Sequence, residues 1–297
     1  MKILNFGSIN IDHVYQIPHF LKPGETLAST QYQCFPGGKG LNQSIALAKA
    51  GSYVYHAGKV GSNAELVMQA LQEGGVDTSL INSKGTATGH AIIQVDPKGE
   101  NCILLFGGSN LEITTQDIDT VLATISEDYI LVLQNEISNL DYLLHKAAEA
   151  GIKVALNPSP IDEKLKAMDF SGVTWLILNE TEGLELSGES QSEKIIEKLS
   201  AKYPELKIIL TLGEKGAVYK YKEQVYTQPI FPTKVKDTTA AGDTFSGYFI
   251  SAIAEGVEVQ SALKMAAMAS SITVSREGAS ISIPTRDEVV SRLNAFL

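Results

Sequence analysis

Cysteine is scarce in this chain: its 297 residues include two, Cys34 and Cys102. Two are too few for a disulfide framework, and both read as small buried apolar residues in a reducing compartment. Long apolar runs are missing as well. None approaches the roughly 18 consecutive apolar residues that cross a bilayer. The opening MKILNFGSIN has no apolar stretch of the kind a secretory signal needs. A cytoplasmic protein with no membrane partner is the expectation. Positive charge is in deficit, with 24 Lys and Arg against 34 Asp and Glu and a net charge of −10. A generally acidic surface disfavours nucleic acid and anionic membranes but still allows a small local anion site. The five histidines, His13, His19, His56, His90 and His145, have no metal-ligand spacing. HExxH, CxxC, GxSxG and a protein-kinase catalytic loop are all missing.

What is present is an ordinary globular composition, 44% hydrophobic and 20% charged, in a chain long enough for a large core without staples. Strand-like and helix-like patterns alternate for about 200 residues, which predicts an α/β fold with a mainly parallel, doubly wound sheet. Strands are expected at 1–9, 53–60, 129–134, 153–157, 175–178 and 207–211. Helices are expected at 42–50, 64–73, 140–150, 191–202, 244–254 and 259–271. Two stretches break the alternation. Residues 11–17 with 26–34, and 86–96 with 101–106, read as extended pairs, the second closed by the turn-like Asp96-Pro97-Lys98-Gly99-Glu100. Strand pairs inserted at about 11–34 and 86–106 into a single 1–297 domain predict a small β-sheet lid over one end of the main sheet.

Four motifs carry chemistry. The first is Asp237-Thr-Thr-Ala-Ala-Gly-Asp-Thr-Phe-Ser-Gly247. Small residues Ala240, Ala241 and Gly242 let an oxyanion approach free N–H groups at a helix start. Asp243 then stands where a hydroxyl and a phosphoryl group could meet, although spacing alone leaves a plain N-cap equally open. The helix after it is expected to be amphipathic, with Phe245, Phe249 and Ile253 on one face. The second motif is Pro36-Gly-Gly-Lys-Gly-Leu-Asn-Gln43. It is neither a Walker A loop nor GxGxxG, but Gly38 permits close backbone approach while Lys39 and Asn42 supply donors. The third, Gly7-Ser-Ile-Asn-Ile-Asp12, follows the first strand, where open α/β sheets bind ligands. Asn10 and Asp12 point to one face and could grip vicinal hydroxyls, or simply be turn residues. The fourth is Asn179-Glu-Thr-Glu182, which suits water-mediated Mg²⁺ and phosphate contacts or a helix N-cap. Glu136 and Thr211-Leu-Gly-Glu-Lys-Gly216 fall at strand ends in the same way.

Taken together, GSINID at 7–12, GGKGLNQ at 37–43, NETE at 179–182, TLGEKG at 211–216 and DTTAAGDTFSG at 237–247 resemble the ribokinase-like (PfkB) carbohydrate kinases, in order and separation across essentially the whole chain. The resemblance implies an ATP-dependent transfer of the γ-phosphoryl group to a sugar hydroxyl, with the 5-hydroxyl of D-ribose the expected acceptor. Fructose, another sugar or a nucleoside is the near alternative, and a catalytically silent sugar sensor the remote one. It implies Asp243 as catalytic base, beside the Ala240, Ala241 and Gly242 amides. Asn10, Asp12, Gly38, Lys39, Asn42 and Glu136 match sugar-contacting positions. Asn179, Thr211, Gly213, Gly216 and Gly242 match ATP-contacting ones. Ala267 stands where such kinases often carry an Asn near the adenine, which leaves one nucleotide contact open. Glu182 matches a Mg²⁺/phosphate glutamate. Asp237, Thr239, Thr273, Arg276, Gly278 and Ser282 match a loop that binds a monovalent cation, K⁺ by expectation, several of them through backbone carbonyls. The lids of such kinases often pair between subunits, so a homodimer is expected.

Overall fold

The computed structural model describes residues 1–126 and 128–296. In chain order its elements are β1 (Lys2–Phe6), β2 (Asn10–Gln16), β3 (Gln31–Gly37), α1 (Lys39–Lys49), β4 (Val54–Lys59), α2 (Glu65–Glu73), β5 (Asp77–Asn82), β6 (Gly89–Val95), β7 (Asn101–Phe106), α3 (Thr115–Leu122), β8 (Tyr129–Gln134), α4 (Leu140–Glu149), β9 (Lys153–Asn157), α5 (Glu163–Lys166), β10 (Trp175–Asn179), α6 (Glu180–Ser187), α7 (Ser192–Lys202), β11 (Lys207–Thr211), β12 (Ala217–Tyr221), β13 (Gln224–Gln228), α8 (Ala241–Ala254), α9 (Val259–Thr273) and α10 (Arg286–Ala295).

The expected α/β sheet is there. Nine strands run in the order β13-β12-β11-β10-β9-β8-β1-β4-β5, parallel from β11 to β5 and closed at one edge by the antiparallel pair β12 and β13. The chain starts at β1, builds outward through β4 and β5, then returns to the other side of β1 at β8. Strand order therefore reverses between β1 and β8, and a crevice opens at their carboxyl ends.

Side-chain alternation along these strands splits the core in two. Ile3, Ile130 and Val132 join the cluster beneath α1, α8 and α9, whereas Leu4, Phe6, Leu131 and Leu133 join the one beneath α3, α4 and α7. The same alternation turns Asn5 and Gln134 toward the α1 and α8 side, where both are fully buried. Burying residues such as Phe249 and Leu47 contributes about 1.5–3 kcal/mol each. Helix α8 departs from the amphipathic expectation. Every residue from Thr244 to Ala252 is buried, because α8 lies between α1 and α9, and a helix covered on both sides has no solvent face to make polar.

Sequence periodicity places β8, β9 and β11 at their observed ends but passes over β5, β12 and β13, partly exposed strands at the two ends of the sheet without a clean apolar run. Helices α1 and α8 begin three residues earlier than expected, since their glycine- and alanine-rich first turns carry no apolar period.

Strands β3-β2-β6-β7 form a separate four-stranded sheet. Within it β2 pairs antiparallel with β3 and parallel with β6, and β6 pairs antiparallel with β7. Its strand β7 is exposed along its whole length. That corrects the cysteine expectation: Cys34 on β3 and Cys102 on β7 are both free and exposed, because β3 as far as Cys34 and the whole of β7 lie open to solvent. Among the described residues no helix is long and apolar enough to cross a membrane.

Candidate active site

Glycines bring the polar ends of three strands together. Gly38, at φ 92°, caps the start of α1 in a left-handed conformation, and a Cβ there would meet Asn10 N at 3.0 Å. A Cβ on Gly40 would lie 2.3 Å from Ser8 N, and one on Gly37 would lie 2.1 Å from the Asp12 carboxylate. Only glycine lets α1 start against the segment that follows β1. Ser8 hydrogen-bonds Glu136 Oε2, which also accepts from Lys39 N at 3.1 Å. Ser8 Oγ in turn accepts from Gly40 N at 3.1 Å.

The polar crevice so formed holds Asn10, Asp12, Gly38, Lys39 and Glu136. Asn10 is oriented from below by Asn110, a buried residue that no motif reveals. Asn110 Oδ1 accepts from Ile9 N at 3.0 Å and its Nδ2 donates to Ile9 O at 3.2 Å, so its orientation is fixed by backbone. The same Nδ2 donates to Asn10 Oδ1 at 2.8 Å, leaving the Asn10 amide N–H groups for a ligand. Burial, with Glu136 nearby, pushes the Asp12 carboxyl up to about 7. Burial also raises Glu136, against the pull of Lys39 and the Ser8 hydrogen bond. Burial alone would lower the Lys39 ammonium, but Asp243, Glu136 and Glu182 together outweigh it and hold it above its usual range. Lys39 is thus a cation among three carboxylates.

Asp243 sits in the first turn of α8, yet it does not cap the helix. The N-cap is Ala240, held at φ 59°, a conformation that costs a non-glycine residue about 1–2 kcal/mol. The Asp243 carboxylate reaches across to α1, where Oδ2 accepts from Asn42 Nδ2 at 3.1 Å and Oδ1 from Gln43 Nε2 at 3.0 Å. At the helix start the Ala241 N–H donates to Thr238 O at 3.2 Å. The next N–H groups, of Gly242 and Asp243, belong to the first turn and have no intrahelical acceptor. A Cβ on Gly242 would meet nothing within 4 Å, so the fold itself does not require glycine there, and the space suits an anion drawn to the helix start.

A cavity of about 230 Å³ opens on this turn. It is lined by Lys39, Asn179, Glu182, Thr211, Ala240, Ala241, Gly242 and Asp243 from the motifs, joined by Asn157, Thr238 and Ser246. Asn179 and Glu182 form a capping box on α6, with Asn179 Oδ1 accepting from Glu182 N and Glu182 Oε2 from Asn179 N, each at 2.9 Å. Gly213 and Gly216 lie in the turn after β11, at φ 54° and 98°, outside this lining. Ala267 is 6% exposed and packed in the α8–α9 core, so the expected side-chain position beside a nucleotide is buried in this structure. A larger cavity of about 440 Å³ lies between β5 and α3. Within it Lys59 and Asn82 both bond Asp117, at 3.2 and 2.8 Å.

The loop before α8 is tied to the segment after α9. Asp237 Oδ1 accepts from Thr239 N and Oγ1, and its Oδ2 accepts from Gly278 N at 3.0 Å. Burial would raise the Asp237 carboxyl, but those donors hold it below its usual range. Thr273 Oγ1 bonds Thr244 Oγ1 at 3.1 Å, Ser282 Oγ donates to Ala279 O at 2.6 Å, and Arg276 pairs with Glu288. Among the described residues no three His, Cys, Asp or Glu side chains converge as a metal cluster. Two cation chemistries still fit. Glu182 is one carboxylate at a roomy polar cavity, as Mg²⁺ that keeps its waters and phosphate ligands requires. The 237–239 and 273–282 segments offer mainly neutral oxygens, as a monovalent cation requires.

Comparison with known proteins gives the family. The sequence profile of the pfkB family carbohydrate kinases matches residues 1–286. The chain is 36% identical to the ribokinase of Haemophilus influenzae, over 97% of this chain and 96% of that one. The crystal structure of a ribokinase from Thermotoga maritima superposes with a TM-score of 0.87 at 35% identity, over 99% of each chain. An Arabidopsis thaliana ribokinase complexed with ribose and ATP gives 0.87 at 29% identity, over 98% of each. This chain belongs to the pfkB family of carbohydrate kinases.

Proposed function

We propose that the chain is an ATP-dependent ribokinase that phosphorylates the 5-hydroxyl of D-ribose. The observation that carries this reading is the position of Asp243. It stands between the open N–H groups of the first turn of α8 and the polar crevice of Asn10, Asp12, Lys39 and Glu136. Each Asp243 oxygen accepts one amide hydrogen bond from α1, which leaves lone pairs free to receive a hydroxyl proton. The ribose and ATP in the Arabidopsis relative support the choice of substrates.

In this reading the sugar lies in the crevice. Asn10 donates to it, Asp12 and Glu136 accept from its hydroxyls, and Lys39 and Asn42 donate from the facing turn above Gly38. ATP enters the cavity along Asn179, Thr211, Gly213 and Gly216, with its γ-phosphate at the Gly242 and Asp243 amides. Asp243 takes the proton of the 5-hydroxyl as that oxygen attacks phosphorus. The amides and the Lys39 ammonium offset charge on the transferring group. Mg²⁺, reached through water from Glu182, would supply further charge neutralisation on the phosphates. A monovalent cation, K⁺ by preference, would be held by Asp237 and Thr239 with the carbonyls of Thr273, Arg276, Gly278 and Ser282. The four-stranded sheet acts as a lid that excludes water. Its exposed Ile103, Leu104, Leu105 and Phe106 support pairing with a second copy, which sedimentation would detect as a doubled mass. The free exposed cysteines suit a reducing, cytoplasmic setting.

A coupled assay over a sugar and nucleoside panel, run with Mg²⁺ in K⁺ or in a bulky inert cation, tests the reading. Ribose should give the highest kcat/KM. Removing its 2-hydroxyl should cost about 10- to 150-fold, the loss of one charge-assisted hydrogen bond, and K⁺ should raise the rate severalfold. Preference for fructose or a nucleoside would refute the substrate assignment, and equal rates in both cations would refute the cation loop.

A further inference from the structure

Behind Asp243 runs a file of buried amides that the reaction does not touch directly. It begins at a group with no choice of role. The Gly40 carbonyl can only accept, so the Asn5 atom 2.7 Å from it is Nδ2. Asn5 therefore turns Oδ1 to Gln134, whose Nε2 donates to it at 3.0 Å. The same Nε2 donates to Gln43 Oε1 at 2.8 Å. That leaves Gln43 Nε2 as the donor to Asp243 Oδ1. The other branch closes just as firmly. His56 Nε2 faces the Gly7 carbonyl at 3.2 Å and must carry a hydrogen. Its Nδ1 then accepts from the Ser44 hydroxyl at 2.7 Å, and Ser44 Oγ accepts from Asn5 Nδ2 at 2.8 Å. Complete burial pushes His56 down to about 4, in keeping with a neutral ring. Asn5, Ser44, His56 and Gln134 are 0% exposed and Gln43 is 1% exposed, so the file is shielded from bulk solvent, and within it Gln134 Oε1 is left without a partner.

Two core positions, Asn5 on β1 and Gln134 on β8, thus carry polar side chains where their strands otherwise place Ile and Val. Each polar residue there costs burial that an apolar residue would not, and packing alone gives no reason for it. The file gives one. We infer that Gln43, oriented through Gln134 and Asn5, is a positioning residue for Asp243, delivering a fixed donor to Oδ1 so that the carboxylate stays aimed at the acceptor hydroxyl. This rests on Asp243 being the base.

A double-mutant cycle tests it, with each turnover measured at saturating ribose and ATP and, for the slow variants, from labelled ATP. Gln43→Leu should lower kcat about 10- to 150-fold, the loss of one hydrogen bond to a charged group, with KM for ATP within about threefold of wild type on the same reading. Gln134→Met, which touches neither substrate nor Asp243, should lower kcat in the same direction by a smaller factor. In an Asp243→Asn background, Gln43→Leu should cost less than about threefold, because the group it serves is gone. If Gln43→Leu does not fold, the isosteric Gln43→Glu carries the test. It should be damaging beside the native Asp243 carboxylate and harmless in the Asp243→Asn background, where the introduced amide can donate to the introduced carboxylate. Equal losses in both backgrounds would overturn the inference and make Gln43 a packing residue. A negligible effect of Asp243→Asn by itself would instead overturn the assignment of the base, so the two failures are distinct.

Discussion

Asp12 is the residue at which fold and ligand compete most openly. Its carboxyl has an ordinary value of 3.8 and is pushed up to about 7, first by burial and then by Glu136. In the sugar-free protein, ionising it therefore costs stability. The contribution is complete below pH 4 and is lost as pH rises through 7. Asp12→Asn removes that cost, so the variant should gain on wild type across this window and hold a constant lead above pH 8. A tenfold change in proton affinity corresponds to about 1.4 kcal/mol, and residual solvent access brings the lead to about 2–4 kcal/mol. Urea unfolding at pH 4.5 and pH 8.5 checks it, and an identical stability difference at both would contradict it. The same variant should bind ribose less well, since a donor replaces half of the acceptor. At this scale the motifs make much of the candidate site legible: Asn10, Asp12, Lys39 and Asp243 stand in or beside glycine-bearing segments, and Asn179 and Glu182 at the junction of β10 and α6. Asn5, Gln134 and Asn110 are not legible, because a single amide inside a strand or a loop has no local signature. Their roles come from partners 35 to 129 residues away.

The contact between α1 and α8 sets the distance between Asp243, the proposed base, and the Asn42 and Gln43 amides bonded to it. Gly247 lies at the crossing, where an added Cβ would sit 2.4 Å from the Ala46 Cβ and 2.9 Å from Leu47 N. Backbone cannot give way as a flexible side chain can, so Gly247→Ala must push the helices apart. We expect a loss of about 1–3 kcal/mol in stability from overpacking, together with a larger fall in kcat than in ATP affinity, because Asn42 and Gln43 ride on the displaced helix. Thermal unfolding and steady-state kinetics on the same preparation would read both, and a variant as active and stable as wild type would show that the crossing is not tight. Elements are legible where the strand centre is wholly buried, as in β8, β9 and β11. They are illegible where burial is partial: β12 and β13 cover one edge of the sheet and present half-polar faces that mimic loops. The early start of α8 is hidden for a different reason. Ala240, Ala241 and Gly242 give access to the helix start, and such small residues carry no periodic signal.

Across the whole molecule, the reversal of strand order between β1 and β8 places one site where separate stretches of sequence meet. In the proposed reading Gly7–Asp12, Gly37–Gln43 and Glu136 would supply its sugar side, Asn179–Glu182 and Thr211 its nucleotide side, and Asp243 the point shared by both. The doubly wound class follows from strand and helix alternation, while the position of β1 inside the sheet does not, since chain order says nothing about which side β8 joins. The nine-stranded sheet carries the polar strand ends, and the proposed reading gives the separate four-stranded sheet the role of a lid. All of it converges on a single group. The most direct measurement is therefore formation of ribose 5-phosphate from ribose and ATP by wild type and Asp243→Asn at equal concentration, with ATP binding measured alongside. The variant, nearly isosteric, should keep its fold and its ATP affinity and lose about 10²–10⁴ in kcat. A variant with near wild-type kcat would contradict the role proposed for Asp243.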